Sequence, residues 1–195
     1  MRGNCLNAGC GEGLFVPFLH GFRNLTRIVH MDLKLPALSR FKPDPRREAV
    51  EGSLVDLPFK DGEFDFVFCT EVLEHIVDDS RAFLEIGRVL KPNGLTLVST
   101  PTPPAPYDPA HVREGYTLDE LRKQLAAARI EVIDHAYCFH AAMRLLLRFW
   151  RWQYEFAGRQ KNLMPRAAVL GLGYWDRWFP FGTQFDVVAL GRKML

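Results

Sequence analysis

The sequence predicts an α/β fold in which a mostly parallel sheet of seven strands is covered by helices on both faces. Short runs rich in apolar, aromatic and β-branched residues alternate with helical patterns as far as residue 139. A glycine-rich turn joins the first of these runs to a helical pattern, as in parallel sheets that bind nucleotides. The last run follows a connection of roughly 45 residues, so we expect the final strand to pair antiparallel, at or near an edge of the sheet.

The individual elements follow from local patterns. The predicted strands cover residues 4–8, 26–31, 49–53, 64–70, 95–100, 130–139 and 185–190. The predicted helices cover residues 13–22, 35–41, 78–90 and 118–128. Thr117 followed by Glu120 is typical of a capping box, and prolines at positions 43 and 45 end the second helix. We expect one domain over residues 1–195, with a mostly helical insertion at about 140–182 before the last strand.

Composition limits the classes of function. A length of 195 residues suits one well-filled core, and a net charge of +2 gives no reason to expect a nucleic-acid partner. The four cysteines have no CxxC spacing, which argues against a zinc site and against a disulfide framework. We therefore expect no metal, and a reduced, cytoplasmic setting.

The glycine-rich turn at residues 7–13 is the most informative segment. Glycines stand at positions 9, 11 and 13, where a missing side chain lets the backbone turn sharply and approach a ligand. A dinucleotide fingerprint would have its third glycine at position 14, which is Leu14 here. The spacing disfavours NAD and leaves another adenosine-containing ligand open.

Polar residues follow the other predicted strands, at the edge of the sheet where ligands bind. Asp32 ends the second strand, 19 residues after Gly13, and a carboxylate there can accept both hydroxyls of a ribose. Ser53 and Leu54 follow the third strand, and Thr70 and Glu71 the fourth. These positions suit the adenine edge and the tail of the same ligand.

Five motifs in this order carry a family resemblance. They are NAGCGEG at 7–13, HMD at 30–32, GSLVDLPF at 52–59 followed by FDFV at 64–67, TEVLEHI at 70–76 and LKPNGL at 90–95, and HVREGYT at 111–117 extends the match. With them the chain resembles the class I S-adenosylmethionine (SAM)-dependent methyltransferases, in particular the type 11 small-molecule group.

The resemblance implies a Rossmann-like doubly wound sheet, SAM as the cofactor and S-adenosylhomocysteine as the product. Its motifs assign cofactor binding to Asn7, Gly9, Cys10, Gly11, Gly13, Asp32, Leu33, Ser53, Leu54, Thr70 and Glu71. The chain departs from the family at Asn7, which replaces the acid of the first motif, and at Ser53, which replaces an aspartate on the adenine side. The family's helices ahead of the first strand have no counterpart in this sequence, so the cleft is open, closed by the 140–182 segment, or completed by another subunit.

The acceptor side has weaker sequence signals. If the acceptor is an oxygen or nitrogen atom, it needs a base, and His111 or His75 is our candidate. His111, Arg113 and Tyr116 are candidates for substrate contacts. The alternatives are a structural role for His75, a solvated Arg113, and a Tyr116 that packs on the helix below.

Residues 140–156 form an amphipathic pattern with arginines at positions 144, 148 and 151 on one face. We expect a helix packed on the sheet, and leave open a lid for an apolar substrate, contact with a membrane surface, or a homodimer contact. For the whole chain we expect a methyltransferase that moves a methyl group from SAM to a small or medium-sized acceptor by in-line displacement, and leave open that this acceptor is apolar. The rival hypotheses are a catalytically silent binding protein of the same fold and an NAD-dependent oxidoreductase.

Overall fold

A computed structural model describes residues 1–35, 41–104, 108–138 and 186–195. Its strands and helices, in chain order, are β1 (Gly3–Ala8), α1 (Val16–His20), β2 (Leu25–Asp32), β3 (Arg47–Glu51), β4 (Phe64–Thr70), α2 (Asp79–Val89), β5 (Leu90–Pro101), α3 (Leu118–Ala127), β6 (Ile130–Cys138) and β7 (Asp186–Lys193). A short 3₁₀ turn, Leu73–His75, precedes α2.

The seven strands form one sheet in the order β3-β2-β1-β4-β5-β7-β6. Strand β1 pairs in parallel with both β2 and β4, so the strand order reverses at β1, and such a reversal opens a crevice at the carboxyl ends of the strands. Strand β7 lies between β5 and β6 and is antiparallel to both. The predicted mostly parallel sheet with an antiparallel last strand near an edge is confirmed.

The core is divided between the two faces of the sheet. One face packs Leu6 and Val67 against Phe83 of α2 and Leu121 of α3. The other face packs strand residues such as Ile28 and Phe68 around Leu19 of α1. Since successive strand residues point to opposite faces, β1 supplies Leu6 to the first cluster and Cys5 to the second.

Local signals explain where α2 and α3 begin. The Asp78 side chain accepts a hydrogen bond from the N–H of Arg81 and caps α2. Thr117 and Glu120 form the predicted capping box, in which each side chain accepts from the other residue's backbone N–H. α2 then buries Phe83, Ile86 and Val89 along one side, the apolar face that its sequence predicts.

The bounds of several elements differ from the predicted ones, α1, β3 and β5 among them. The helix expected at 13–22 spans only Val16–His20, because Gly13 has a φ of 78° that no α-helix contains. β3 lies at Arg47–Glu51 rather than 49–53, since its parallel ladder with β2 runs from the Ile28–Arg47 pair to the Asp32–Glu51 pair, and the Gly52 N–H makes the last bond, to the carbonyl of Asp32. β5 begins directly after α2, at Leu90, and an irregular register between Phe64 and Phe66 of β4 accommodates its first residues.

Several expectations lie outside the described residues. The helix at 35–41, and the segment at 140–182 with its proposed lid, membrane-surface and dimer contacts, fall wholly or almost wholly on residues 36–40 and 139–185. Within the described ranges, no helix has both the length and the apolar character needed to cross a membrane.

Candidate active site

The glycine-rich loop follows β1 and is tied to the end of β2. The N–H groups of Gly9 and Cys10 both donate to the carbonyl of Met31, each at 2.9 Å. Gly9 has a φ of 74°, and a Cβ atom there would lie 2.4 Å from a methyl group of Val72, so both backbone and packing require glycine. At Gly11, with a φ of 47°, a Cβ would meet no atom within 4 Å. The backbone of Gly11 therefore borders open space that a ligand can enter.

Asp32 meets this loop as the sequence predicts. The N–H of Gly11 donates to Oδ2 of Asp32 at 2.7 Å, which joins the ends of β1 and β2. On the far side of Asp32, Ser53 closes a turn by accepting from the N–H of Asp56 through its carbonyl. Leu54 is buried in the core at 6% exposure, whereas Leu33 is 72% exposed beside Asp32. The predicted ribose and adenine positions thus lie on neighbouring strand ends.

Asn7 contacts a histidine rather than the open loop. It is 3% exposed, and its amide Nδ2 lies 3.0 Å from Nδ1 of His30. The Nε2 atom of His30 lies 3.2 Å from Nε2 of His20. Burial, and then the neighbouring His20, lower the pKa of His30 to about 4. No sequence pattern indicates this buried chain of polar side chains, because its members lie on three separate elements.

Glu71 follows β4 in an unusual backbone conformation. Its φ is 55°, in the left-handed region that residues other than glycine rarely adopt. The hydroxyl of Ser99, on the adjacent β5, donates to Oε1 of Glu71 at 2.6 Å, and the Glu71 N–H donates to the Ser99 carbonyl. Non-glycine residues in this region cluster at functional sites, where neighbouring contacts hold them. Thr70 and Glu71 therefore form a fixed strand end opposite the glycine-rich loop.

Two further carboxylates, Glu74 and Asp186, are buried close to Glu71. Glu74 is 1% and Asp186 5% exposed. Burial, followed by repulsion from the Glu71 carboxylate, raises the pKa of Glu74 to about 8 and that of Asp186 to about 7. This burial distinguishes Glu74 from the solvated acidic residues that are common at the start of a helix. Sequence reasoning missed Asp186, because an antiparallel strand brings its first residue, not its last, to the ligand edge.

The two candidate histidines are adjacent in space. The rings of His75 and His111 have centroids 4.6 Å apart and an interplanar angle of 72°. Nδ1 of His75 lies 3.0 Å from the carbonyl oxygen of Ala110, and Nε2 lies 3.9 Å from Oε1 of Glu74. The Val112 N–H donates to the backbone carbonyl of Glu74 at 3.0 Å, which fixes the two segments together.

Arg113 and Tyr116 are engaged with the start of α2. Arg113 forms an ion pair with Asp79 and donates to the carbonyl of Ile76 at 2.9 Å. The Tyr116 hydroxyl donates to Oδ2 of Asp79 at 2.5 Å, and its ring packs edge-on against Phe83. Of our alternatives, the packed Tyr116 is therefore what the structure shows. Contact of either residue with a substrate stays a prediction.

Comparison with known proteins relates this geometry to a family. The sequence profile described as "Methyltransferase domain" matches residues 6–98. A probable S-adenosylmethionine-dependent methyltransferase of Mycolicibacterium smegmatis is 33% identical over 145 residues, which are 70% of this chain and 55% of that protein. This chain carries a class I SAM-dependent methyltransferase domain. A demethylmenaquinone methyltransferase of Clavibacter sepedonicus is 39% identical over 96 residues, 49% of this chain and 37% of that protein.

Solved structures show that the methyltransferase domain shares its fold with proteins of different chemistry. The crystal structure of the cyclase SpnF superposes with a TM-score of 0.68 at 20% identity, covering 100% of this chain and 76% of that one. At this identity the likeness establishes the fold alone. The chain spans about half the length of the curated relatives that it matches first.

The residues of the methyltransferase domain fit the cofactor that the family uses. The open space at Gly11 admits a ligand against the backbone, and the Asp32 carboxylate stands beside it to accept hydrogen bonds from hydroxyls. A cavity of about 480 Å³ lies at the opposite edge of the sheet, around Asp65 and Lys91, and none of the candidate residues lines it.

Proposed function

We propose that this protein transfers a methyl group from SAM to a small or medium-sized acceptor by in-line displacement. The observation that carries the proposal is the hydrogen bond between Gly11 and Asp32 at the point where the strand order reverses. It joins a ligand-accessible backbone turn to a carboxylate, an arrangement that suits an adenosine-containing ligand. The family membership of residues 6–98 supports the same cofactor.

The proposed cofactor site follows the strand ends from β3 to β4. Asp32 accepts the ribose hydroxyls while Leu33, Ser53 and Leu54 border the adenine. Gly9, Cys10, Gly11 and Gly13 provide the backbone surface of the loop. Thr70 and Glu71, with Asn7 behind the loop, stand on the side of the methionine-like tail. Burial and the nearby Asp32 carboxylate raise the pKa of the Cys10 thiol to about 11, so at neutral pH this thiol is uncharged and inert.

Methyl transfer from SAM requires no covalent intermediate with the protein. The sulfonium methyl of SAM is already electrophilic, and the protein chiefly holds the nucleophile in line and excludes water. Orientation of this kind contributes roughly 7–11 kcal/mol to lowering a barrier. An oxygen or nitrogen acceptor loses a proton, for which we propose His111 or His75 as the base. Arg113 and Tyr116 support this side by holding the segment that carries His111 against α2.

An acceptor with an apolar portion suits the surface near these strand ends. Leu14 after the loop, Leu33 after β2 and Val77 after the 3₁₀ turn are 81%, 72% and 80% exposed. Each of the three follows an element that ends at the ligand edge, where an apolar portion of an acceptor would meet it. The name of the Clavibacter relative, a demethylmenaquinone methyltransferase, points to the same class of acceptor.

Calorimetric titration with S-adenosylhomocysteine tests the proposal, with NADH titrated in parallel. We expect one site per chain for S-adenosylhomocysteine and none for NADH. Asp32→Ala should weaken binding at least about tenfold, since a hydrogen bond to a charged group contributes roughly 1.5–3 kcal/mol. The matched control is Glu131→Ala, which removes an exposed carboxylate from β6 and should leave the affinity unchanged.

Activity is then measured as consumption of SAM with phenol and quinol acceptors. Tight binding of NADH without binding of S-adenosylhomocysteine would overturn the proposal. Binding of S-adenosylhomocysteine without turnover of any acceptor would favour the silent binding protein.

A further inference from the structure

We propose that Glu74, His75 and His111 form a binding site for a divalent transition-metal ion. One carboxylate oxygen and one nitrogen from each imidazole lie within 4.8 Å of one another. Two imidazoles and a carboxylate are a donor set that holds Zn²⁺, Co²⁺ or Fe²⁺ in proteins. The sequence argued against a metal because it lacks paired cysteines, but this set comes from two segments that the fold brings together.

The carboxylate of Glu74 is the strongest sign of a missing partner. It is 1% exposed, and neither of its oxygens has a hydrogen bond of normal geometry among the described residues, where the Thr100 hydroxyl is a neighbouring polar group. A buried carboxylate is stable as an anion only when it is paired with a cation or coordinates a metal ion, and a bound ion would supply that positive charge here. No lysine or arginine forms an ion pair with Glu74 in the part of the chain that the structure describes. Its one ion-pair contact there is with Nε2 of His75, at 3.9 Å from Oε1.

His75 is already arranged as a metal ligand. A carbonyl oxygen can only accept, so the 3.0 Å contact with Ala110 requires that Nδ1 of His75 carry the proton. In the neutral ring Nε2 then keeps its lone pair, and this is the nitrogen that lies beside Glu74. Ligating histidines in proteins characteristically donate their other N–H to a backbone carbonyl or carboxylate in this way.

His111 completes the set from a neighbouring loop. The N–H of Val112, the residue next to His111, donates to the backbone carbonyl of Glu74 and holds the loop against it. Metal–nitrogen bonds of about 2.0–2.1 Å place donors roughly 3–3.5 Å apart. The three donor atoms now lie up to 4.8 Å apart, and the side chain of His75, 36% exposed, has room to turn towards the other two.

The site has open positions. Three protein donors leave at least one for water or another ligand, as catalytic sites do. If the proposed function is correct, an acceptor hydroxyl could bind there and lose its proton to solvent more easily. The ion would then replace His75 or His111 as the aid to deprotonation, because their lone pairs would be used in ligation.

Titration of chelator-treated, tag-free protein with Co²⁺ tests the site without any cofactor or acceptor. We expect a 1:1 titration with visible absorption bands of a four- or five-coordinate site, and competition by Zn²⁺. His111→Ala and Glu74→Gln should each weaken Co²⁺ binding at least about tenfold, while circular dichroism confirms that both variants fold. His135→Ala, which removes an exposed histidine of β6, is the matched control and should bind like the unaltered protein.

Three outcomes would overturn the metal site: no saturable Co²⁺ binding, equal binding by His111→Ala and Glu74→Gln, or loss of binding in His135→Ala. None of them bears on S-adenosylhomocysteine binding, which is measured separately. A protein that binds S-adenosylhomocysteine but not Co²⁺ would refute this site and leave the proposed function standing, and the reverse result would refute the proposed function alone.

Discussion

Asn7 and His30 lie side by side on the face of the sheet that carries α1. The amide nitrogen of Asn7 can only donate, so Nδ1 of His30 accepts and its proton resides on Nε2, which faces His20. The ring nitrogen of His20 on the other side approaches Asp44 at 3.7 Å. This arrangement holds His30 neutral in one tautomer and explains why an amide suits position 7 in this chain.

Removing the amide should destabilise the fold. In Asn7→Ala the Nδ1 atom of His30 loses its partner inside the core, and an unsatisfied buried polar group costs about 1–3 kcal/mol. We expect that loss in the free energy of unfolding, measured by urea denaturation. The control is Asn24→Ala, at an exposed position, which should change the free energy of unfolding by no more than about 0.5 kcal/mol. A larger change in Asn24→Ala, or no loss in Asn7→Ala, would contradict the argument.

His30 should also make stability depend on pH. Its pKa is lowered from 6.5 to about 4 in the folded protein, so below pH 6.5 the unfolded chain binds a proton that the folded chain does not. The free energy of unfolding therefore falls as the pH is lowered from 6.5 towards 4. His30 accounts for up to about 3 kcal/mol of this loss. Urea midpoints measured between pH 7 and pH 4 should fall less steeply in His30→Gln than in His135→Gln.

Elements differ in how far their own sequence explains them. α3 has its complete start signal in four consecutive residues, and both reciprocal bonds of its capping box are present. α1 depends on its surroundings: its five residues form no side-chain cap, and it is held by packing of Leu19 on the sheet. Short helices of this kind gain most of their stability from tertiary contacts.

The cap of α3 gives a prediction at this scale. Thr117→Ala should cost about 1 kcal/mol, because it removes the acceptor of the Glu120 N–H and the partner of the Glu120 carboxylate. Thermal unfolding followed by circular dichroism measures the effect. Lys123→Ala, at an exposed position of the same helix, should change stability by no more than about 0.5 kcal/mol, and an equal loss in both variants would refute the capping argument.

The whole molecule should respond to its cofactor. The glycine-rich loop, Asp32 and Glu71 come from three strands, so a ligand that contacts them together binds the folded chain and not the unfolded one. S-adenosylhomocysteine at 100 times its dissociation constant should add about 2.7 kcal/mol of stability, a rise in Tm of roughly 5–10 °C for a domain of this size. In Asp32→Ala the Tm should not rise at the same concentration of S-adenosylhomocysteine. Adenine alone should raise the Tm little in either protein.

The sequence by itself determined the sheet class, the glycine-rich turn, Asp32 beside it and the cap of α3. These features depend on backbone rules and on residues close together in the chain, and parallel strands bring their carboxyl ends to one edge without further information. The partner of Asn7, the burial of Glu74, the arrival of Asp186 at the ligand edge and the meeting of His75 with His111 were decided only by the tertiary structure. Each depends on which segments pack against one another, since burial and contact between distant residues arise from packing and leave no period or spacing in the sequence.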